Sequence, residues 1–265
     1  IDSSLNKGSM SYGELLIKGK SKKEILLSTY VCHPSMANNE LSGPALTTWI
    51  AKSIMCKNKP ELTYRIIFVP ETIGSIAYLS KHYKEMKKNT IAGYVVTCTG
   101  GPDNFVYLKT RKENTLTDRI SAHILKYSGH KYRILSYSHR GSDERQYCSP
   151  GIDLPIGSIM RSKYHEYSEY HTSEDNLNFV KPEHMKLSYD IYLKCINAIE
   201  RNATFITKEL CEPQLSKRNL YPATGASTTA NQSLDDIMAI LSYSDGTNDL
   251  LDIADIHDRS ILNYF

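Results

Sequence analysis

Residues 24–43 read EILLSTYVCHPSMANNELSG, and the reading of this stretch decides the fold. The run from Ile25 to Val31 is short, rich in β-formers and apolar without alternation, the pattern of a parallel strand buried on both faces. It gives way to His33 and then to a small, polar, turn-rich loop. Open α/β sheets place their chemistry just past the carboxyl ends of their strands, so His33 is expected at a functional edge.

Working outward, Ser11 to Lys18 reads as a strand paired with Glu24 to Val31 across the polar turn at residues 19–23. After Gly43, Leu46, Ile50 and Ile54 recur every four residues and predict a helix ending near Cys56. Tyr64–Val69 and Gly93–Cys98 repeat the buried-strand pattern, and Tyr132–Tyr137 and Leu154–Ile159 add two further strands. Helical patterns run from Ile73 to Met86, from a Thr115/Asp118 capping box to Gly129, and from Pro182 to about Ile206. This alternation predicts a three-layer α/β/α sandwich on a mixed, mostly parallel sheet. The expected organisation is a catalytic domain over residues 1–210, a polar linker over 211–232, and the start of a small helical module over 233–265. Ile1 at the start and the apolar close Ile261–Phe265 suggest a fragment of a longer protein.

Composition narrows the function. The chain has 265 residues, 40% of them hydrophobic, and a net charge of +3 without a basic block, so charge alone points to neither nucleic acid nor membrane. Residues 231–265 carry seven Asp against one Arg and should repel phosphate. No apolar run approaches the roughly 18 residues that a spanning helix needs. Six cysteines without a C-x-x-C pair read as reduced core thiols of a cytoplasmic protein. A nucleophile built on Cys32 and His33 is disfavoured, because neighbours on an extended chain point to opposite faces. Nucleophile-elbow, P-loop and dinucleotide glycine patterns are absent from the sequence.

Four distant segments place polar groups just past apolar strands: His33 with Asn38-Asn39-Glu40, Glu71, Ser142-Asp143-Glu144-Arg145, and His171 with Asp175. Two imidazoles and a carboxylate suit a catalytic zinc with one position open to water, and a further carboxylate suits the accompanying base. Blander roles stand beside these: Glu71 and Asp175 as helix caps, and Asp143, Glu144 and Arg145 as a solvated ion cluster.

In this order the strings CHPSMANNELSGP, PETIGSIAYL, RGSDERQYCSPGIDLP and YHTS resemble the zinc aminopeptidase-like superfamily. The resemblance is nearest to a bacterial aminopeptidase-like branch with a C-terminal winged helix, often linked to polysaccharide biosynthesis loci. It covers roughly residues 10–222 and implies a cytoplasmic zinc metallohydrolase of peptide or related amide bonds. It matches His33 and His171 to zinc-binding histidines and Glu71 to the general base. Asn39 falls where a bridging carboxylate is expected, so Glu40 becomes the third ligand, with Asn39 the alternative. Thr72 and the segment Thr97-Cys98-Thr99 lack two further carboxylate ligands, so one Zn2+ is expected. Asp143 is then a catalytic support, with Arg145, Tyr147 and Tyr170 about the substrate. The implied partner is a small peptide or amide, without membrane or nucleic acid, and a homo-oligomer is compatible. Two rival readings stand: amide hydrolysis or transfer on an amino sugar, and a non-catalytic binding or regulatory protein with a degenerate metal site.

Overall fold

The computed structural model describes residues 4–57, 59–218, 220–221 and 228–265. They divide into two units, Ile1–Ile196 and Asn197–Phe265. Seven strands of the first unit form one sheet: β1 (Gly13–Ile17), β2 (Glu24–Val31), β3 (Thr63–Pro70), β4 (Thr90–Val95), β5 (Phe105–Leu108), β6 (Tyr132–Leu135) and β7 (Ile156–Arg161). Their order is β1-β3-β2-β4-β7-β5-β6. The central four, β3, β2, β4 and β7, are parallel, so their carboxyl ends share one edge. The mixed, mostly parallel sheet is as the sequence predicts.

β2 takes the middle because both its faces are apolar; all of it except Val31 is buried. On one face Leu26 and Tyr30 join Ile67, Val69 and Val95 beneath Tyr78, Leu79 and Met86 of α2 (Ile73–Asn89) and Tyr147 of α4 (Glu144–Tyr147). On the other, Tyr94 bonds Ser121 of α3 (Leu116–Lys126) at 2.9 Å and meets Tyr192 of α5 (Pro182–Arg201) edge-on. At the far end of the sheet, buried Arg65 grips buried Glu24 through two bonds of 3.0 and 3.1 Å, and Thr90 donates to the same carboxylate at 2.8 Å. This clamp ties β2, β3 and β4 in register where they begin and so fixes where they end.

Three expectations change. β1 does not pair with β2; it lies antiparallel on β3, because its partly exposed faces suit an edge, whereas β2 must be flanked on both sides. β5 was not anticipated, its four residues being too short for a periodicity signal. The cysteines are free as expected, yet Cys32, Cys56 and Cys211 are exposed rather than buried in the core.

In the second unit β8 (Thr204–Ile206) pairs antiparallel with β9 (Asp245–Asp249), where a continuing helix was expected as far as Ile206. α6 spans Thr228–Tyr243, and α7 (Leu250–Ile256) starts on an Asp249/Asp252 capping box. Within the stretch read as a linker, Leu215–Arg218 forms a 3-10 turn, and residues 222–227 lie outside the described residues. No described helix is long and apolar enough to cross a membrane.

Candidate active site

The site is built where the parallel strands stop. Val31, the last residue of β2, is exposed; the chain then bends at His33 and turns through Ser35 at φ 66°. Ala37–Leu41 winds one wide π turn that runs directly into α1 (Ser42–Met55). A π turn of this kind often marks a functional site, because it displaces side chains from regular helical positions. Here it buries Asn38, Asn39 and Glu40 together.

Glu40 reaches back to the residues before the turn. Its Oε2 accepts the Cys32 N–H at 2.6 Å, and its Oε1 lies 3.2 Å from His33 Nδ1. Burial raises its pKa, and these donors partly oppose that rise. With Nδ1 engaged by a carboxylate, the His33 ring is fixed and its other nitrogen is left for a ligand. Asn39 faces the second histidine: its Oδ1 lies 3.0 Å from His171 Nε2, while its Nδ2 donates to Tyr30 at 3.0 Å. The imidazoles of His33 and His171, far apart in sequence, pack with centroids 4.2 Å apart. Burial, together with the neighbouring imidazoles His33 and His165, lowers the His171 pKa and favours the neutral ring that a metal requires.

Asp175 holds these two segments together. It is fully buried; Oδ1 accepts Asn38 N–H at 2.6 Å, and Oδ2 accepts Asn39 N–H at 3.1 Å and the Tyr167 hydroxyl at 2.9 Å. A backbone bond from Ala37 N–H to the Asp175 carbonyl adds to the seam. Asp175 therefore caps the π turn from a distant loop and caps no helix of its own, since α5 starts only at Pro182.

From β3, Glu71 presents a carboxylate whose Oε1 accepts Ser142 Oγ at 2.7 Å. Asp143 is buried behind it: Oδ1 accepts the Thr72 N–H at 2.7 Å and Ser75 Oγ at 3.0 Å, and Oδ2 has no partner among the described residues. Burial, reinforced by Glu71 and Glu144, pushes its carboxyl up to about 7. Glu144 is turned inward and accepts from the N–H groups of Gly141 and Ser142 and from Tyr164, so it shapes the loop and is no surface ion. Arg145 stays exposed, with Nη2 3.4 Å from Thr72 Oγ1. Tyr170 stacks on His171 at 3.9 Å.

Tyr147 departs from expectation. It is wholly buried in the core, with its hydroxyl 2.8 Å from Ser28 Oγ, and it has no face to offer a substrate. The inward turn of α4 that aims Arg145 outward sends Tyr147 the opposite way.

Among the described residues, the metal-capable donors that lie within 4.8 Å of one another are those of Cys32, His33 and Glu71; the combination of His33, Glu40 and His171 is not such a set. Cys32 escaped the sequence reading because alternation was assumed to continue past Val31, whereas the strand has ended and the bend gathers both neighbours. The Cys32 thiol is pushed up to about 11 by burial and by the Glu40 and Glu71 carboxylates, which weakens it as a free nucleophile.

Residues 3–202 match the family described as a domain of unknown function, DUF4910, and residues 203–264 match a winged helix-turn-helix family. A Clostridium acetobutylicum protein, provisionally named a polysaccharide biosynthesis protein with an aminopeptidase-like domain, is 45% identical over 255 residues, 96% of this chain and 58% of its own length. A crystal structure from the same organism, provisionally named a peptidase, matches with TM-score 0.86 and 40% identity over 96% of this chain and 57% of that one. A Bacillus subtilis zinc aminopeptidase matches with TM-score 0.59 and 14% identity over 71% of this chain and 49% of that one, a likeness of fold. The chain thus spans under two thirds of the length of these relatives. It belongs to the DUF4910 family, its first unit carrying the aminopeptidase-like fold and its second a winged helix-turn-helix.

Proposed function

We propose that the first unit is a zinc-dependent hydrolase of amide bonds, with the peptide bond next to a free amino terminus as its foremost substrate. The observation that carries this reading is the convergence of His33 and His171, centroids 4.2 Å apart, beside the carboxylates of Glu40 and Glu71. Imidazole and carboxylate donors suit a borderline-soft divalent ion, and the name of the Bacillus relative supplies the precedent. When bound, zinc supplies Lewis acidity that polarises a carbonyl and brings water's pKa toward about 7.

The chain's own residues do the rest. His33 and His171 would hold the ion, with Glu40 fixing the His33 ring. Glu71 has Oε1 engaged by Ser142, so Oε2 would take the proton of the attacking water and return it to the leaving nitrogen. Asp143 braces the Thr72 backbone next to this base, and exposed Arg145 would meet a substrate carboxylate with its planar fork.

Glu71→Gln tests the reading. It should leave metal content unchanged and lower peptide-amide turnover by about 10²-fold or more; an unchanged rate removes Glu71 from the mechanism. A second substrate class is the amides of amino sugars, a reading supported by the polysaccharide biosynthesis in the Clostridium relative's name. Cleavage of N-acyl sugars in preference to peptide amides would select it.

A further inference from the structure

The register of the sheet brings two donors out side by side. Val31 is the partner of Pro70 across the parallel β2–β3 pair, so the next residues along the two strands, Cys32 and Glu71, leave the edge as neighbours. The bend at His33 then turns its ring back toward them, and Cys32 Sγ, a His33 ring nitrogen and a Glu71 oxygen all lie within 4.8 Å of one another. Donors around a tetrahedral zinc, at about 2.0–2.3 Å from it, stand roughly 3.5 Å apart. Core packing does not explain the cysteine, because Cys32 is exposed, unlike Cys98, Cys148 and Cys195.

The carboxylate and amide that follow in the π turn are already engaged: Glu40 on Cys32 N–H and His33, Asn39 on Tyr30 and His171. An ion held by His33 needs a further protein ligand close by on the way to the three of a catalytic zinc site, and Cys32 and Glu71 are the donors within 4.8 Å of its ring nitrogen. We infer that Cys32 supplies it, as a thiolate on the ion that His33 holds, with Glu71 facing the pair as the base. The inference rests on the metal-dependent reading above. On binding, the ion takes the place of the Sγ proton, which passes to solvent, and nothing is oxidised or reduced.

Cobalt(II) titration of the metal-free chain tests this, because a thiolate ligand gives cobalt a strong near-ultraviolet charge-transfer band that nitrogen and oxygen ligands do not. The wild-type chain should develop the band at one equivalent. Cys32→Ser should lose the band yet still take up cobalt, with affinity weaker by about tenfold or more. Cys56 and Cys211, exposed in both proteins, serve as internal controls. As a second measurement, one equivalent of zinc should shield one thiol from a thiol reagent in the wild type and none in Cys32→Ser. Cobalt bound without the band, or a band that survives in Cys32→Ser, overturns the thiolate and leaves the hydrolase reading standing. A wild-type chain that binds no cobalt overturns both.

Discussion

Asp175→Ala removes one carboxylate from the centre of the site and should undo the seam between the His33 and His171 segments. Two buried backbone donors, Asn38 N–H and Asn39 N–H, lose their acceptor, as does the Tyr167 hydroxyl. An unsatisfied buried donor costs about 1–3 kcal/mol. The two amides together therefore set an expected loss of about 4 kcal/mol, with the tyrosine able to reorient. Asp175→Asn keeps one acceptor oxygen but presents an NH2 group to the other donors, so about half that loss is expected. Urea unfolding followed by far-ultraviolet circular dichroism gives the stabilities. Zinc affinity measured against a competing chelator, under conditions where each variant is folded, separates positioning from plain stability. In Asp175→Ala the affinity should fall because the π turn carrying Asn39 and Glu40 is no longer pinned, and Asp175→Asn should recover part of it. A loss of stability below about 1 kcal/mol, or an unaltered zinc affinity in folded Asp175→Ala, refutes the clamp.

Asp143 makes a prediction about pH. Its carboxyl sits at about 7 in the folded chain through burial and the nearby Glu71 and Glu144, and ionises near 4 when unfolded. Folding therefore takes up a proton between those values, so the contribution of Asp143 to the stability of the metal-free protein is most favourable below about pH 4 and declines as pH rises to about 7. The gap corresponds to about 4 kcal/mol, and Asp143→Asn, which keeps an acceptor for Thr72, should flatten the decline; denaturant midpoints at pH 5 and pH 8 check this. Tyr147→Phe should lower stability by about 1 kcal/mol through loss of its buried bond to Ser28 while leaving KM unchanged; a raised KM at unchanged stability would return Tyr147 to the substrate.

What could be read from the sequence was what local patterns encode. The unbroken apolar runs of β2 and β3 identify parallel strands, and parallel strands deliver their ends to one edge, so topology allowed His33 to meet His171, while the pairing itself came from the family resemblance. The Thr115/Asp118 capping box was legible for the same reason, since both partners lie within one helical turn. Orientation at strand ends was not legible. Whether Cys32 continues the alternation depends on where the ladder of β2 stops, and hydrogen bonding from Glu40, eight residues on, shapes that turn. The inward aim of Tyr147 depends on a core partner, Ser28, 119 residues away. Asp175 looked like a helix cap because Asp often is one, and only the fold shows that the N–H groups it satisfies belong to another segment.

The backbone records the same division between scaffold and site. Ten described non-glycine residues have positive φ, and six of them, Ser35, Thr72, Cys98, Ser162, His165 and His171, follow the carboxyl ends of β2, β3, β4 and β7. Each such residue costs about 1 kcal/mol or more and persists only where its surroundings fix it. The surroundings here are buried acids that accept backbone donors: Asp143 holds Thr72 N–H, Asp175 holds the π turn that follows Ser35, and Glu40 holds the bend at Cys32. Three carboxylates thus act on the main chain, leaving the imidazoles, Cys32 and Glu71 at the open rim. A sheet whose strands are locked in register at the Arg65–Glu24 end can carry that strain at the opposite end, because relaxing one loop would break bonds to the next. Strain distributed in this way is what would keep donors from three separate strand ends converged on one point.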